Sequence, residues 1–181
     1  LPLWSGLFTV AWVLLTTNAF NWFAGIPGQV SILSVIGTAT IGLLALSSRV
    51  NQPEIAAVAF ILTGCALASA LFDVPPNRVV MGDTGAMFFG LMLGTLSIYG
   101  GGKVATAFLV LGLPLLDALF VIGRRLLRGS SPFRGGEDHL HHRLLRKGWS
   151  ERQVILLTVI LGSSFGITAL FLSTFGKFLA I

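Results

Sequence analysis

Three histidines, His139, His141 and His142, fall within four consecutive residues, and the chain has no others. They lie in the stretch Arg124 to Arg152, which also holds eight of the twelve Lys and Arg residues and three of the seven acids. Imidazoles and guanidiniums at this density suit a diphosphate, because Arg offers paired donors to phosphate oxygens. If Asp138 to Lys147 is helical, His139, His142, Arg143 and Arg146 share one stripe. Leu140 and Leu144 then occupy another face, suited to the membrane interface. The plainer alternative is a solvated basic loop attracted to anionic headgroups, and for Arg124, Arg125 and Arg128 that reading is expected. Zinc is disfavoured, since no Cys or second His cluster and no HExxH supplies further ligands.

Two carboxylates stand apart from the loop. Asp83 lies in Met81–Gly85, MGDTG. It could serve as an N-cap, accepting backbone N–H bonds of the first turn. Equally, a carboxylate flanked by glycines at a membrane face can hold Mg²⁺ while the metal grips phosphate oxygens. Asp117 interrupts an otherwise apolar run and sits about 10 Å from its charged end at 1.5 Å per residue. A buried carboxylate in a span points to function by default; the alternative is a packing hydrogen bond to Ser, Thr or Asn on a neighbouring helix. Pro114, one turn earlier, is placed to bend the helix. Asn18 and Asn21, in NAFN, share a helical face and either cap a helix or bond a sugar or phosphate.

The elements that position these groups are set by composition. Of 181 residues, 54% are hydrophobic and 10% charged, with a mean hydropathy of +0.87. A soluble domain carries about 25% charge, so the chain is expected in a bilayer. Backbone groups in lipid must pair within each segment, which predicts helices rather than barrel strands. The fold expected is all-α and polytopic, a single transmembrane domain over 1–181 resembling the C-terminal part of a larger bundle. Six spans are expected: two within Leu1–Ser48, then Ile55–Phe72, Thr84–Gly102, Val104–Gly123 and Gln153–Gly176. Loops Asn18–Gln29, Asp73–Asp83 and Gly123–Arg152 would share a side. They hold nine basic residues, against Arg49, Lys103 and Lys177 opposite, which makes their side cytoplasmic. Cys65 is expected as a small core residue in a span. The pI of about 10.4 reflects one loop, so nucleic-acid binding is not expected. No charged segment precedes the first span in this sequence, so a signal peptide is not expected.

Together NAFNWFAGIPG, PPNRVVMGDTGAMFFG, PLLDALFVIGRRLLRGSSPF and DHLHHRL resemble the polyprenyl-phosphate N-acetylhexosamine-1-phosphate transferases, of glycosyltransferase family 4 type. That family includes the muramoyl-pentapeptide transferase of peptidoglycan synthesis and the GlcNAc-1-phosphate transferases of O-antigen (lipopolysaccharide) and teichoic-acid synthesis. SPF and HLHH look more like the GlcNAc-1-phosphate branch. The resemblance implies that a polyprenyl phosphate, such as undecaprenyl phosphate, attacks the β-phosphate of a UDP-N-acetylhexosamine and releases UMP. It implies Mg²⁺, with Mn²⁺ as the alternative, and an active face on the cytoplasmic side of the inner (plasma) membrane. By resemblance Asp83 takes the metal, and Asp83 and Asp117 serve catalysis, Asp117 by supporting the site. Asn18 and Asn21 position substrate, and His139, His141, His142 and Arg143 line the nucleotide-sugar site. Membrane lipids and a homodimer complete the expected partners.

Three departures stand out. Ala24 occupies the place of an Asp in the family's Asn-x-x-Asp-Gly context, and Gly136 stands where many members have Asp. The family's acidic pair, on an earlier loop, has no counterpart here, nor do about four upstream spans. The expectation is therefore the back half of a transferase, with little or no activity alone. Two alternatives stay open: a non-catalytic binder of polyprenyl phosphate or nucleotide sugar, and a transporter using Asp117 as a coupling carboxylate.

Overall fold

The computed structural model describes residues 2–99, 108–131 and 138–172, and seven helices are delimited among these described residues. They are α1 (Pro2–Phe23), α2 (Gln29–Leu46), α3 (Pro53–Asp73), α4 (Gly82–Tyr99), α5 (Gly112–Leu127), α6 (Leu140–Arg146) and α7 (Glu151–Phe171). Among the described residues, α1 from Leu3, α2, α3 and α7 are long and apolar enough to cross a membrane. α4, with 18 residues, is opened by Gly-Asp-Thr-Gly, and α5 has 16 residues and ends in the basic Arg124 and Arg125. The chain is an all-helical, polytopic membrane protein. Several edges differ from expectation. α5 runs past Gly123 to Leu127, because an amphipathic last turn tolerates arginines at its negative C-terminal end. A helical turn at 108–110 breaks at Leu111, three residues before Pro114, which lacks the N–H that would bond back across the break. Lys103, Arg134, Gly136, Lys177 and the Pro132–Phe133 of SPF lie outside the described residues.

The outer surface is apolar: Leu7, Val10 and Leu14 on α1, Ile61, Leu67 and Leu71 on α3, and Ile160 and Ile167 on α7 are exposed. Exposed leucine and isoleucine on this scale suit lipid, not water. Cys65 belongs to that exposed face and is not a core residue, since α3 turns only a narrow strip inward: Ala56, Ala59, Leu62, Ala66 and, at its end, Asp73.

Inside, a core that includes Trp12, Phe20, Phe23, Leu33 and Leu93 surrounds small and hydroxyl-bearing residues that make the closest helix contacts. Lipid gives no hydrophobic gain for burying leucine between helices, so close backbone approach and hydrogen bonds hold them. Gly90 and Gly94 of α4 lie directly on α1: a Cβ added to Gly90 would come 2.8 Å from the Thr16 carbonyl oxygen, and one on Gly94 2.2 Å from Thr16 Oγ1. Trp12 Nε1 donates to the Gly94 carbonyl at 3.1 Å and to Ser97 Oγ at 3.2 Å. α2 meets α3 through Thr63 Oγ1, which donates to Thr38 Oγ1 at 2.9 Å. It meets α7 through Gln29 Nε2, which donates to Thr158 Oγ1 at 3.2 Å.

These packings put every chemistry-bearing element at one end. α1 and α4 run antiparallel, with Trp12 beside Gly94 and Phe20 beside Gly90. That register sets the first turn of α4, with Asp83, level with the end of α1. The loop 24–28, the loop 74–81, the C-terminal end of α5, the short α6 and the start of α7 share this end.

Candidate active site

Asp117 fixes the site. Its side chain is buried on α5, at 8% exposure. Its Oδ2 lies 2.8 Å from His139 Nδ1, and its Oδ1 accepts the Leu140 backbone N–H at 2.8 Å. A carboxylate accepts, so His139 carries its proton on Nδ1 and leaves Nε2 as the outward-acting nitrogen. The packing alternative for Asp117, a hydroxyl or amide on a neighbouring helix, is not what the carboxylate meets. Its partner is the histidine motif itself, reached because the chain folds back along α5 after Leu127. Two further contacts hold the same docking. Arg125 pairs with Asp138 at 3.4 Å, so it is not a free headgroup-binding cation. The Arg143 guanidinium lies over the Phe120 ring, 5.1 Å from its centroid, and so leans on α5.

The single stripe expected for Asp138–Lys147 is not formed. α6 begins at Leu140, and His139 is its extended N-cap residue, so its imidazole turns to Asp117 and leaves the helical spacing. His141, on the opposite side of the expected stripe, becomes the central buried residue at 0% exposure. Its ring stacks on His139 with centroids 5.9 Å apart, meets His142 at 4.2 Å, and takes the edge of Phe23 at 6.2 Å. Both of its ring nitrogens are buried without a hydrogen-bond partner among the described residues.

The ring fits because residue 25 is glycine. A Cβ there would lie 1.8 Å from His141 Nε2, 2.4 Å from Cδ2 and 2.7 Å from Cε1. The loop after α1 is in turn seated on the end of α3: Gly28 has φ +85°, and a Cβ on it would lie 2.9 Å from Val74 Cα. One chain of contacts thus runs from α6 through Gly25 and Gly28 to α3.

Burial, and then the neighbouring His142, lower the His141 pKa from 6.5 to about 4. The imidazole is therefore neutral at physiological pH and able to accept or donate one hydrogen bond. The unfolded chain takes up a proton near pH 6.5 that the folded chain refuses until about pH 4. Folding stability from this group is complete above pH 6.5 and declines as pH falls toward 4, by up to about 3 kcal/mol. Thermal unfolding of the wild type should show that decline, and His141→Phe should flatten it. An unchanged slope in the variant would assign the decline to other groups.

Asn18 and Asn21 both lie in the last turns of α1, which continues through them to Phe23. Asn18 Nδ2 donates to the Leu14 carbonyl at 2.7 Å, a bond within its own helix. Asn21 is the less satisfied of the pair, with Oδ1 buried and unpartnered. Asp83 is exposed and does not cap α4. The helix already begins at Gly82, whose left-handed φ of +68° turns the chain into it. This leaves Asp83 in the first turn with its carboxylate turned to solvent.

Residues 1–101 match Glycosyl transferase family 4. The chain belongs to glycosyl transferase family 4. Over 172 residues it is 34% identical to the probable undecaprenyl-phosphate N-acetylglucosaminyl 1-phosphate transferase of Bacillus subtilis, covering 92% of this chain and 48% of that protein. It is 31% identical over 165 residues to the undecaprenyl-phosphate alpha-N-acetylglucosaminyl 1-phosphate transferase of Escherichia coli K12, covering 84% of this chain and 44% of that one. The decaprenyl-phosphate N-acetylglucosaminephosphotransferase of Mycolicibacterium smegmatis is 30% identical over 174 residues, covering 83% and 43%. The chain spans about half the length of the curated relatives it matches.

Magnesium, implied by the family resemblance, can be weighed against the donors. Among the described residues no group of three His, Cys, Asp or Glu side chains could hold a metal. Asp117 spends both oxygens on His139 and Leu140, and Asp138 faces Arg125. Asp83 is an exposed carboxylate of this end, as is Glu151 at the start of α7. Asp83 fits Mg²⁺ as one ligand, since that ion commonly takes one or two carboxylates and completes its shell with phosphate oxygens and water. Two residues of this family member escaped the sequence reading as site elements. Gly25 stands in the sequence only as the residue after Ala24, and Asp73 only as the edge of the loop Asp73–Asp83. The glycine could have been suspected from its place beside NAFN, but nothing local told that an imidazole would lie on it.

Proposed function

We propose that this chain forms the catalytic end of an enzyme that transfers N-acetylhexosamine-1-phosphate from a UDP-sugar to polyprenyl phosphate, releasing UMP, for envelope glycan synthesis. One observation carries the reading. The Asp117 clasp sets His141 over Gly25 of the loop that ends α1, with His139 and His142 against it, at the same end as Asp83. The names of the relatives, polyprenyl-phosphate N-acetylglucosamine-1-phosphate transferases, support it. We place this end at the cytoplasmic face of the inner membrane, where UDP-sugar is soluble and the lipid phosphate lies in the interface. The balance of basic residues supports that side.

Phosphoryl transfer needs positioned charge more than covalent help. His142 and Arg143, both partly exposed, face incoming diphosphate oxygens, while His139 Nε2 offers a nitrogen whose tautomer is fixed. His141 and the Asn21 carbonyl oxygen contribute neutral hydrogen-bonding groups held away from water. Mg²⁺, when bound, neutralises phosphate charge, and Asp83 would hold it. The intact protein in nanodiscs with undecaprenyl phosphate, UDP-N-acetylglucosamine and Mg²⁺ should release UMP. Asp83→Asn should cut that rate by about 100-fold or more, the scale of losing an electrostatic stabiliser. Full turnover in the variant would remove Asp83 from the metal role.

A second reading rests on Ala24, next to the glycine under His141. Methyl carries no proton and binds no metal, so the pocket would hold nucleotide sugar without turning it over. UDP-N-acetylglucosamine binding by calorimetry with no UMP formed would establish this reading in place of the first.

A further inference from the structure

Asp73 ends α3, where a carboxylate meets the negative pole of the helix dipole and is disfavoured. It is nevertheless buried, at 3% exposure, and no cation pairs with it among the described residues. A charge so placed needs directed partners. It has two. Ser31 of α2 donates to Oδ2, and the Met81 backbone N–H donates to Oδ1 at 3.1 Å. Met81 is the first residue of MGDTG. Its side chain lies over the first turn of α4, where a Cβ on Gly85 would come 2.4 Å from Met81 Cγ. The intervening loop is tied to the same spot, since Arg78 N–H and Val79 N–H both donate to the Phe72 carbonyl, at 2.8 and 3.2 Å.

We propose that Asp73 is a positioning residue for Asp83. It ties α2, α3 and the backbone entering α4 into one joint, so that the Asp83 carboxylate is presented at a fixed height and direction. The proposal rests on the transferase reading for its catalytic consequence, not for the joint itself. Asp73 bonds no substrate atom. It acts through Met81, and only the residue whose acceptor reaches that N–H can do the work. The amide of Asn keeps the geometry, with Oδ1 accepting from Met81 and Nδ2 placed against Ser31 Oγ.

The test uses the intact protein in nanodiscs with three variants. Asp73→Ala should lower UMP release by about 10- to 100-fold, the usual cost of removing a group that orients a metal ligand. It should also raise the Mg²⁺ concentration for half-maximal rate about tenfold while leaving the KM for UDP-sugar within twofold. Asp73→Asn should stay within about threefold of wild type on every count. Ser31→Ala, which keeps the Met81 bond, should also remain close. If Asp73→Ala does not yield folded protein, Asp73→Ser, polar but too short to reach Met81, takes its place with the same expectation. Amide exchange is read alongside: the Met81 N–H should be protected in wild type and in Asp73→Asn, and exposed in Asp73→Ala. An unshifted Mg²⁺ requirement in Asp73→Ala, or Asp73→Asn as impaired as Ala, overturns the positioning role. Wild type without UMP release, but with Met81 protection that depends on residue 73, leaves the joint standing and fails the transferase reading alone.

Discussion

Asp117→Asn is expected to leave the protein folded and to lower UMP release by at least about 100-fold. The amide keeps one acceptor for the Leu140 N–H, which the carboxylate now receives at 2.8 Å. Its other atom is then an NH₂ facing His139 Nδ1, where the carboxylate oxygen sits at 2.8 Å. Two donors cannot meet, so the imidazole must move its proton to Nε2, and the nitrogen that faced outward as an acceptor becomes a donor. Turning the amide over only transfers the conflict to Leu140. The same logic in unrelated enzymes, where an Asp sets a histidine's tautomer, is worth several orders of magnitude. Asp117→Leu removes both acceptors and strands two buried donors, at roughly 1–3 kcal/mol each, so it should also lose stability. UMP release and nitrogen chemical shifts of labelled histidine are the two measurements. A rate within twofold of wild type, or an unchanged tautomer, would show that the clasp is mere packing.

Gly25→Ala should be nearly as damaging, for a steric reason. The added methyl would stand 1.8 Å from His141 Nε2, inside any allowed contact. His139, His142 and Phe23 surround the ring, so it can yield only by leaving its buried seat. Overpacking of this kind costs about 1–3 kcal/mol. The imidazole would be driven toward water, and its pKa should rise from about 4 toward the ordinary value as the desolvation is lifted. A double-mutant cycle decides the cause. In a His141→Ala background Gly25→Ala should cost little, because the ring it strikes is gone. Additive effects of the two substitutions on thermal unfolding would mean that the glycine is needed for its backbone, not for the imidazole.

Both predictions concern residues whose partners are far away in the chain, and this marks the limit of the sequence. That the chain is helical and membrane-embedded followed from charge-free runs, because lipid admits few alternatives for a backbone. The sharing of one end by MGDTG, NAFN and the histidine stretch followed from counting spans. Asp117 stood out since a lone carboxylate in an apolar helix is costly. Helical periodicity, however, misassigned the histidine stretch. A seven-residue helix gains little from propensity, so where it starts was decided by the Asp117 bonds that hold His139 outside it. The same reason hid Gly25 and Asp73. A glycine's meaning depends on what would strike its missing side chain, and a buried acid's on who donates to it. Local sequence fixes the period and polarity of each helix; the contacts across helices, where lipid offers no competing hydrogen bonds, fix which side chains meet.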